Sequence, residues 1–367
     1  MCIFVAQKSG EKSPVLACSL NSKNYSGEFE KEVKAASFEF PAESFGESEW
    51  SIRNKLHDSV LQKMQVGTPL KEMPITINYG IKTGFNDAFF IDGKTREKLI
   101  AEDPKSAELI KPLLRGRDIE AWSTNNDGQF LINPHNGIKE KGIKSIDINE
   151  YPAIKKHLDQ FIDKLSKRGD KGETPYNLRN CAYLEDFFKP KIVYPEITST
   201  FSFTYDESGA MCNNKNYIIT ENTNVIASEA KQTILKPLLA ILNSNLAKLW
   251  ICYNCPVLNG GARNISTTYF ENFRIPLDNT ELLQQLATLA DEIITAKKQA
   301  SCHPERSDSE VEGSGEVVQE NKVPELAEGP SAVIQNRIAD LEKQVNELVY
   351  KLYGVTDLEE IEAVEKR

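Results

Sequence analysis

Six aliphatic residues near the C-terminus, Ile334, Ile338, Leu341, Val345, Leu348 and Leu352, recur at spacings of 4, 3, 4, 3 and 4. That is a heptad seam of about three heptads, and such a seam is stable only against a partner helix. Glu281 to Gln299 offers one, amphipathic through Leu282, Leu286, Leu289 and Ile293. The two are predicted to pair antiparallel as a C-terminal helical hairpin. Gly354 is placed to end the second helix, and Thr356 with Glu359 to open a last short one. Between the pair, Ser301 to Pro330 is rich in Glu, Ser, Gly and Pro and has no apolar period. It buries too little to offset its ordering entropy and reads as a disordered insert.

The remaining chain alternates between helical and extended patterns without a regular repeat. Arg53 to Val66 carries Leu56, Val60, Leu61 and Met64 on one helical face and ends at Gly67-Thr68-Pro69. Strands are predicted at Cys2–Ala6, Ile75–Tyr79, Ala88–Ile91, Gln129–Ile132, Lys191–Tyr194, Ser202–Tyr205 and Tyr217–Ile219. Glu97 to Leu114 reads as two short helical pieces split at Asp103-Pro104, and a further helix starts near Pro152. Ile234 to Cys252 is apolar but interrupted by Lys236, Pro237, Asn243, Asn245 and Lys248, so it reads as a buried helix. No stretch approaches the roughly 20 apolar residues of a membrane span. Interspersed strands and helices give an α+β fold class, with a mixed-sheet domain before the helical hairpin.

The formal charge is −10, from 44 basic and 54 acidic residues. An acidic chain argues against a binder of phosphate backbones until the charge is located. Eight acids against two bases lie in 301–330, and five against two in 357–367. The middle, Asn136 to Lys191, has twelve bases against nine acids. The seven cysteines are irregularly spaced, which suits reduced thiols in a cytoplasm. Met1 to Ala6 lacks the basic lead and cleavage pattern of a signal peptide.

No catalytic constellation is recognisable. Cys252-x-x-Cys255 lacks a second ligand pair and reads as buried thiol rather than zinc site. Gly80-x-x-x-Gly84 fits neither nucleotide-binding fingerprint. No Gly-x-Ser-x-Gly elbow accompanies the four histidines, and His157 reads as a solvated helix residue. Glu32-Val33-Lys34 resembles the end of a nuclease metal site without its preceding Pro-Asp. Methyl transfer to a base amino group needs a Gly-rich turn for S-adenosylmethionine and an Asn/Asp-Pro-Pro-aromatic motif for the flipped base. Asn133-Pro134-His135 is the nearest approach and lacks the second Pro and the aromatic.

A series of short motifs carries more. It runs Tyr79-Gly80-Ile81-Lys82-Thr83-Gly84-Phe85-Asn86-Asp87-Ala88-Phe89-Phe90-Ile91-Asp92, then Lys111-Pro112-Leu113-Leu114-Arg115-Gly116-Arg117-Asp118-Ile119. Lys171-Gly172-Glu173-Thr174-Pro175-Tyr176, Cys181-Ala182-Tyr183 and Lys189-Pro190-Lys191-Ile192-Val193-Tyr194-Pro195-Glu196-Ile197 follow. Leu242-Asn243-Ser244, Phe273-Arg274-Ile275-Pro276 and Leu348-Val349-Tyr350-Lys351-Leu352-Tyr353-Gly354 complete it. Each is weak alone, but their order and spacing are specific. Together they resemble the TaqI-like C-terminal specificity domain of adenine-specific DNA methyltransferases and type IIG restriction–modification enzymes. The resemblance runs from about Trp50 to the end, apart from the insert. It implies a target-recognition domain that reads duplex DNA beside a catalytic domain, as part of bacterial defence. It also divides the chain into 1–45, resembling the last strands of a methyltransferase domain; 46–74, a linker helix; 75–280, the DNA target-recognition domain; and 281–367, the helical hairpin with insert 301–330. The Gly-rich turn and Pro-Pro motif belong to the catalytic domain and do not occur in this sequence. S-adenosylmethionine is therefore implied for that domain, with no cofactor bound by this chain and no catalytic or metal-ligating residue assigned to it.

Reading DNA takes base-edge contacts plus phosphate contacts that set register. The Gly80–Asp87 loop offers Lys82, Thr83 and Asn86; Lys82 suits phosphate and Asn86 a bidentate adenine contact. The alternative is a loop whose polar groups cap its neighbours. Arg115 and Arg117 place two guanidinium forks around a glycine, to read guanine and phosphate or to pair with Asp118 or Glu120. Lys191 starts a strand, and Arg263 follows the Gly-rich Asn259–Gly261 segment, to reach DNA or to close a turn. Lys164, Lys167, Arg168 and Lys171 end a helix, where cations also complement its dipole. The function expected from these residues is sequence-specific duplex recognition that guides adenine methylation. The rivals are a stand-alone specificity subunit docking a separate methyltransferase or nuclease chain through the heptad helices, and an inactive product of a truncated gene.

Overall fold

The computed structural model describes residues 15–18, 28–40, 55–222, 233–302 and 330–366. The expected strand Cys2–Ala6 and nearly all of the expected insert 301–330 lie outside the described residues. Two units form, Met1–Gln65 with Tyr353–Arg367, and Val66–Leu352.

In the first unit, the strands Val15–Cys18 and Ser37–Phe40 pair antiparallel, with the helix Phe29–Ala36 leading into the second strand. The helix Lys55–Lys63 packs on Leu358–Glu365. Val60, Leu61 and Val364 are buried there. Glu360 is also buried, and it accepts from Ser59 Oγ and Lys63 Nζ at 2.6 Å each. The last helix is capped one residue later than expected. Asp357 accepts from the amides of Glu359 and Glu360, and Thr356 does not cap it.

The second unit is α+β. Its first sheet is antiparallel, in the order Thr204–Asp206, Lys191–Pro195, Asn216–Glu221, Ile75–Tyr79. Val193 pairs with Thr204 and Ile218, and Tyr79 with Tyr217. A second sheet runs Met211–Cys212, Ile110–Leu114, Phe130–Ile132, Phe90–Ile91, with only its first pair parallel. The second helical piece expected is the short 3-10 turn Pro104–Glu108, and it stops before Leu114, because Ile110–Leu114 is a strand. Pro112 lacks an N–H, but the parallel partner pairs only from Leu113 onward. The apolar run Ala88–Ile91 splits instead into a helix, Asn86–Phe89, and a strand, Phe90–Ile91. Short apolar runs carry no period that separates the two.

One core lies around the second sheet and one face of the first, with Phe89, Leu113, Leu131, Phe187, Val193, Met211 and Ile218. The alternate residue Tyr194 belongs to an aromatic cluster with Phe203, Tyr217 and Phe270, at centroid distances of 5.2–5.5 Å. Trp250 and Phe273 extend it edge-to-face at 5.0 Å. Helices follow. Ile234–Cys252 is two helices, Leu235–Asn243 and Asn245–Asn254, because Ser244 is extended and its Oγ accepts from Ala247 N. Thr280–Cys302 packs against Leu235–Asn243 and against Pro330–Leu352. The pair of long helices is antiparallel: Glu292 meets Arg337 at 3.7 Å, while Gln285 and Leu289 lie beside Gln344 and Leu348. Gly354, at φ 68°, follows the second.

Candidate nucleic-acid interface

The first sheet brings four chain crossings to one end. Tyr79, Pro195 and Asn216 share that end by register. Gly80 N donates to Asn216 O, Ile81 N to Cys212 O, and Asn214 N to Ile81 O. Asn216 Nδ2 donates to Leu114 O and Asn213 Oδ1. Asn216 is therefore the node that joins the Gly80–Asp87 loop, the Arg115–Arg117 loop and the Asn213–Lys215 turn. Only glycine fits at 80, since a Cβ there would stand 2.1 Å from Asn213 O. The short strands Ile197–Thr198 and Arg263–Asn264 pair beside this end, and Ile265 N donates to Glu196 O. Lys82, Arg115, Arg117 and Lys215 thus gather from segments far apart in sequence.

Their partners sort them. Arg117 is exposed and has no hydrogen bond or ion pair among the described residues. Arg115 does not point its fork outward. Its Nε and Nη2 donate to the two carboxylate oxygens of Asp118 at 2.9 and 2.8 Å, and Nη2 also reaches Asp127 at 2.5 Å. Side-chain exposure is 13% for Arg115 and 3% for Asp118, so this is a part-buried bidentate pair on a buried carboxylate, and it shapes the loop. Asp118 and then Asp127 hold the guanidinium firmly charged, and Arg115 in turn holds the Asp127 carboxyl below its usual range.

Lys82 pairs with Asp170 at 3.0 Å, and Arg179 reaches the other oxygen of the same carboxylate at 3.2 Å. These side chains are 42%, 41% and 28% exposed, in the order Lys82, Arg179, Asp170. Exposed pairs of this kind contribute roughly 0–1 kcal/mol each. Thr83 is only 2% exposed, and its hydroxyl donates to Asn86 Oδ1 at 2.6 Å. Its hydroxyl thus braces the loop from a buried position, whereas Asn86 itself is exposed. Arg168 is buried and fixes the loop from below, donating to the carbonyls of Thr83, Pro175 and Asn177. Its guanidinium lies 4.7 Å from the Phe89 ring centroid, and burial draws its pKa down to about 10. Lys171 donates to Ser166 O, as the dipole reading of that basic cluster has it.

Two further candidates take structural places. Lys191 is fully buried and pairs with the cross-strand Asp206, while also donating to Phe187 O at 2.7 Å. It lies at the opposite end of its strand from the site, so it is not a surface contact. Its strand face is that of Val193, which packs in the core with Met211 and Cys212 of the second sheet. Arg263 is half-buried and donates to Cys255 O at 3.3 Å, which is the turn-closing role. His157 is half-buried rather than solvated; it contacts Ala88 O at 3.1 Å, and burial pushes its pKa down. Cys255 is buried, with its thiol pushed up to about 12.

Sequence reasoning missed Arg179, Lys215 and the node Asn216. Arg179 precedes Cys181-Ala182-Tyr183, and that adjacency was its one signal. With Tyr79, Lys82, Asn180 and Tyr183 it lines a cleft of about 210 Å³. The glycines of the Gly80–Asp87 loop offer no cradle for an anionic cofactor. The space at Gly80 is filled by Asn213 backbone, and that at Gly84 by Asp170 and Arg168.

Residues 111–277 match the TaqI-like C-terminal specificity domain. The type II methyltransferase M.XhoI of Xanthomonas vasicola is 23% identical over 235 residues, which cover 63% of this chain and 39% of that protein. The type II methyltransferase M.PaeR7I of Pseudomonas aeruginosa is 23% identical over 235 residues, covering 63% and 38%. The chain thus spans less than two-fifths of the length of these curated relatives. In fold it is similar to the type IIL restriction–modification enzyme MmeI, solved in complex with DNA. The TM-score is 0.52 at 12% identity, over 82% of this chain and 36% of that one. The matched segment contains Arg115, Arg117, Arg179, Lys215 and Arg263, so the resemblance carried by the ordered motifs holds: this region is similar to the TaqI-like C-terminal specificity domain.

Proposed function

We propose that this chain supplies sequence-specific duplex DNA recognition to a site-specific adenine DNA methyltransferase of a restriction–modification system. One observation carries the reading. Cations from three distant segments, half-buried Lys82 and exposed Arg117 and Lys215, converge on one sheet end, the latter two within the segment that matches a specificity domain. The methyltransferase relatives and the DNA-bound restriction–modification enzyme support it. Arg117 is the candidate guanine reader and Asn86 the candidate adenine reader. Lys82 and Lys215 are placed for phosphate, which sets register without reading sequence. Catalysis and S-adenosylmethionine are assigned to another domain, because this sequence has neither motif for them. The heptad seam is consumed inside the chain, so a separate catalytic chain would dock on another face.

Selection of the full chain against a randomised duplex pool, followed by anisotropy at several salt concentrations, tests the reading. Enrichment of one motif, with affinity falling as salt rises, is expected. Equal affinity for every duplex and for heparin would overturn it.

A further inference from the structure

The cleft beside the sheet end holds two cations on one carboxylate. Asp170 presents Oδ2 to Lys82 and Oδ1 to Arg179. Tyr79 and Tyr183, edge-to-face at 5.7 Å, line the cleft, and Asn180 adds a polar group. The second, wider concavity that Lys139 and Lys171 line shares Arg179 and Asn180 with it. The position of Asp170 is set by its surroundings. Gly84, at φ 71°, packs so closely that a Cβ there would lie 3.1 Å from Asp170 Cβ. Arg168 pins the neighbouring Thr83 carbonyl.

A carboxylate bridging a lysine and an arginine in an open cleft has the charge and the planar acceptor pair of a phosphodiester. Arg115 differs, because its bidentate partner Asp118 is buried and would be left as an unpaired buried charge if displaced. Both Asp170 pairs are part-exposed, so an incoming anion can replace the carboxylate without stranding a buried charge. The geometry points to Lys82 and Arg179 as a seat for a DNA backbone phosphate, with Asp170 as the internal stand-in that keeps both cations aligned until duplex binds. This rests on the proposed DNA reading and adds to it a phosphate site, a new residue, Arg179, and a carboxylate that competes with DNA.

Three variants of the full chain, Lys82→Gln, Arg179→Gln and Asp170→Asn, separate the possibilities, with duplex affinity measured against salt and circular dichroism as the fold control. Each glutamine variant should weaken cognate and non-cognate duplexes by about the same factor and lower the salt slope by about 1. Asp170→Asn should tighten both several-fold at low salt. If Asp170→Asn loses its fold, the two glutamine variants still decide. Unchanged affinity and slope in both, with wild-type chain binding duplex, would overturn the phosphate seat and leave the recognition reading standing. Wild-type chain that binds no duplex would overturn both. Loss confined to the cognate duplex would make Lys82 and Arg179 base readers and also overturn the seat.

Discussion

Two arginines separated by one glycine have opposite fates, and the difference is set by partners rather than residue type. Arg115 closes a bidentate pair with Asp118, whose carboxylate also accepts from the Arg115 amide at 2.8 Å. Arg117 faces solvent at the sheet end. Arg117→Ala should therefore leave stability within roughly 0.5 kcal/mol, yet weaken the preferred duplex by about 1–3 kcal/mol and relax one position of the site. Arg115→Ala should instead destabilise the fold by about 3–5 kcal/mol, since it strands a nearly buried carboxylate. Urea melts and duplex anisotropy on both variants check the contrast. If Arg115→Ala lost DNA preference with normal melts, Arg115 would return to the reading surface. Both readings were open in the sequence, because Arg-Gly-Arg-Asp states which partners are near but not which lone pairs meet.

At the element scale, the long helices were the most legible part of the chain. Their period appears within one segment and needs no knowledge of the rest. Even so, the buried stripe departs from the heptad. Ile338, Leu341, Val345, Val349 and Leu352 are buried, while Leu348 is only half-buried beside Gln344 and Leu289. A straight helix drifts by about 20° per heptad, which passes the seam from 348 to 349. Leu341→Ala should then cost about 2–5 kcal/mol, and Leu348→Ala roughly 1 kcal/mol or less, by chemical denaturation. Equal losses would restore the strict seam. Strand positions were legible where apolar alternation was clear, as at Ile75–Tyr79. Ile110–Leu114 was not, because what makes it a strand is its pairing with Phe130–Ile132 on one side and Met211–Cys212 on the other. The site suffered most from this. Lys191 and Thr83 look like surface polar residues in sequence, and each is buried by a segment that only the folded chain brings to it.

For the whole molecule, net charge misleads and its distribution informs. The chain carries −10, yet the segments 301–330 and 357–367 hold most of that excess. The overall sign therefore does not by itself bar a local cation cluster from meeting a polyanion, since 0.15 M salt screens charges separated by more than about 8 Å. On the proposed reading, recognition and chemistry also separate at this scale. The sequence has no Pro-Pro-aromatic motif to hold a flipped base, and the glycines at 80 and 84 are packed against protein. Calorimetry on residues 1–367 should therefore register duplex binding and no heat from S-adenosylmethionine, and labelled methyl should not enter DNA. Addition of a catalytic domain that itself prefers no sequence should then produce methylation biased toward the duplex this chain selects. Micromolar S-adenosylmethionine binding by this chain would end the division of labour. Methylation whose site preference ignored the chain would locate recognition elsewhere, because a specificity module acts only by raising the local concentration of one sequence at the catalytic site.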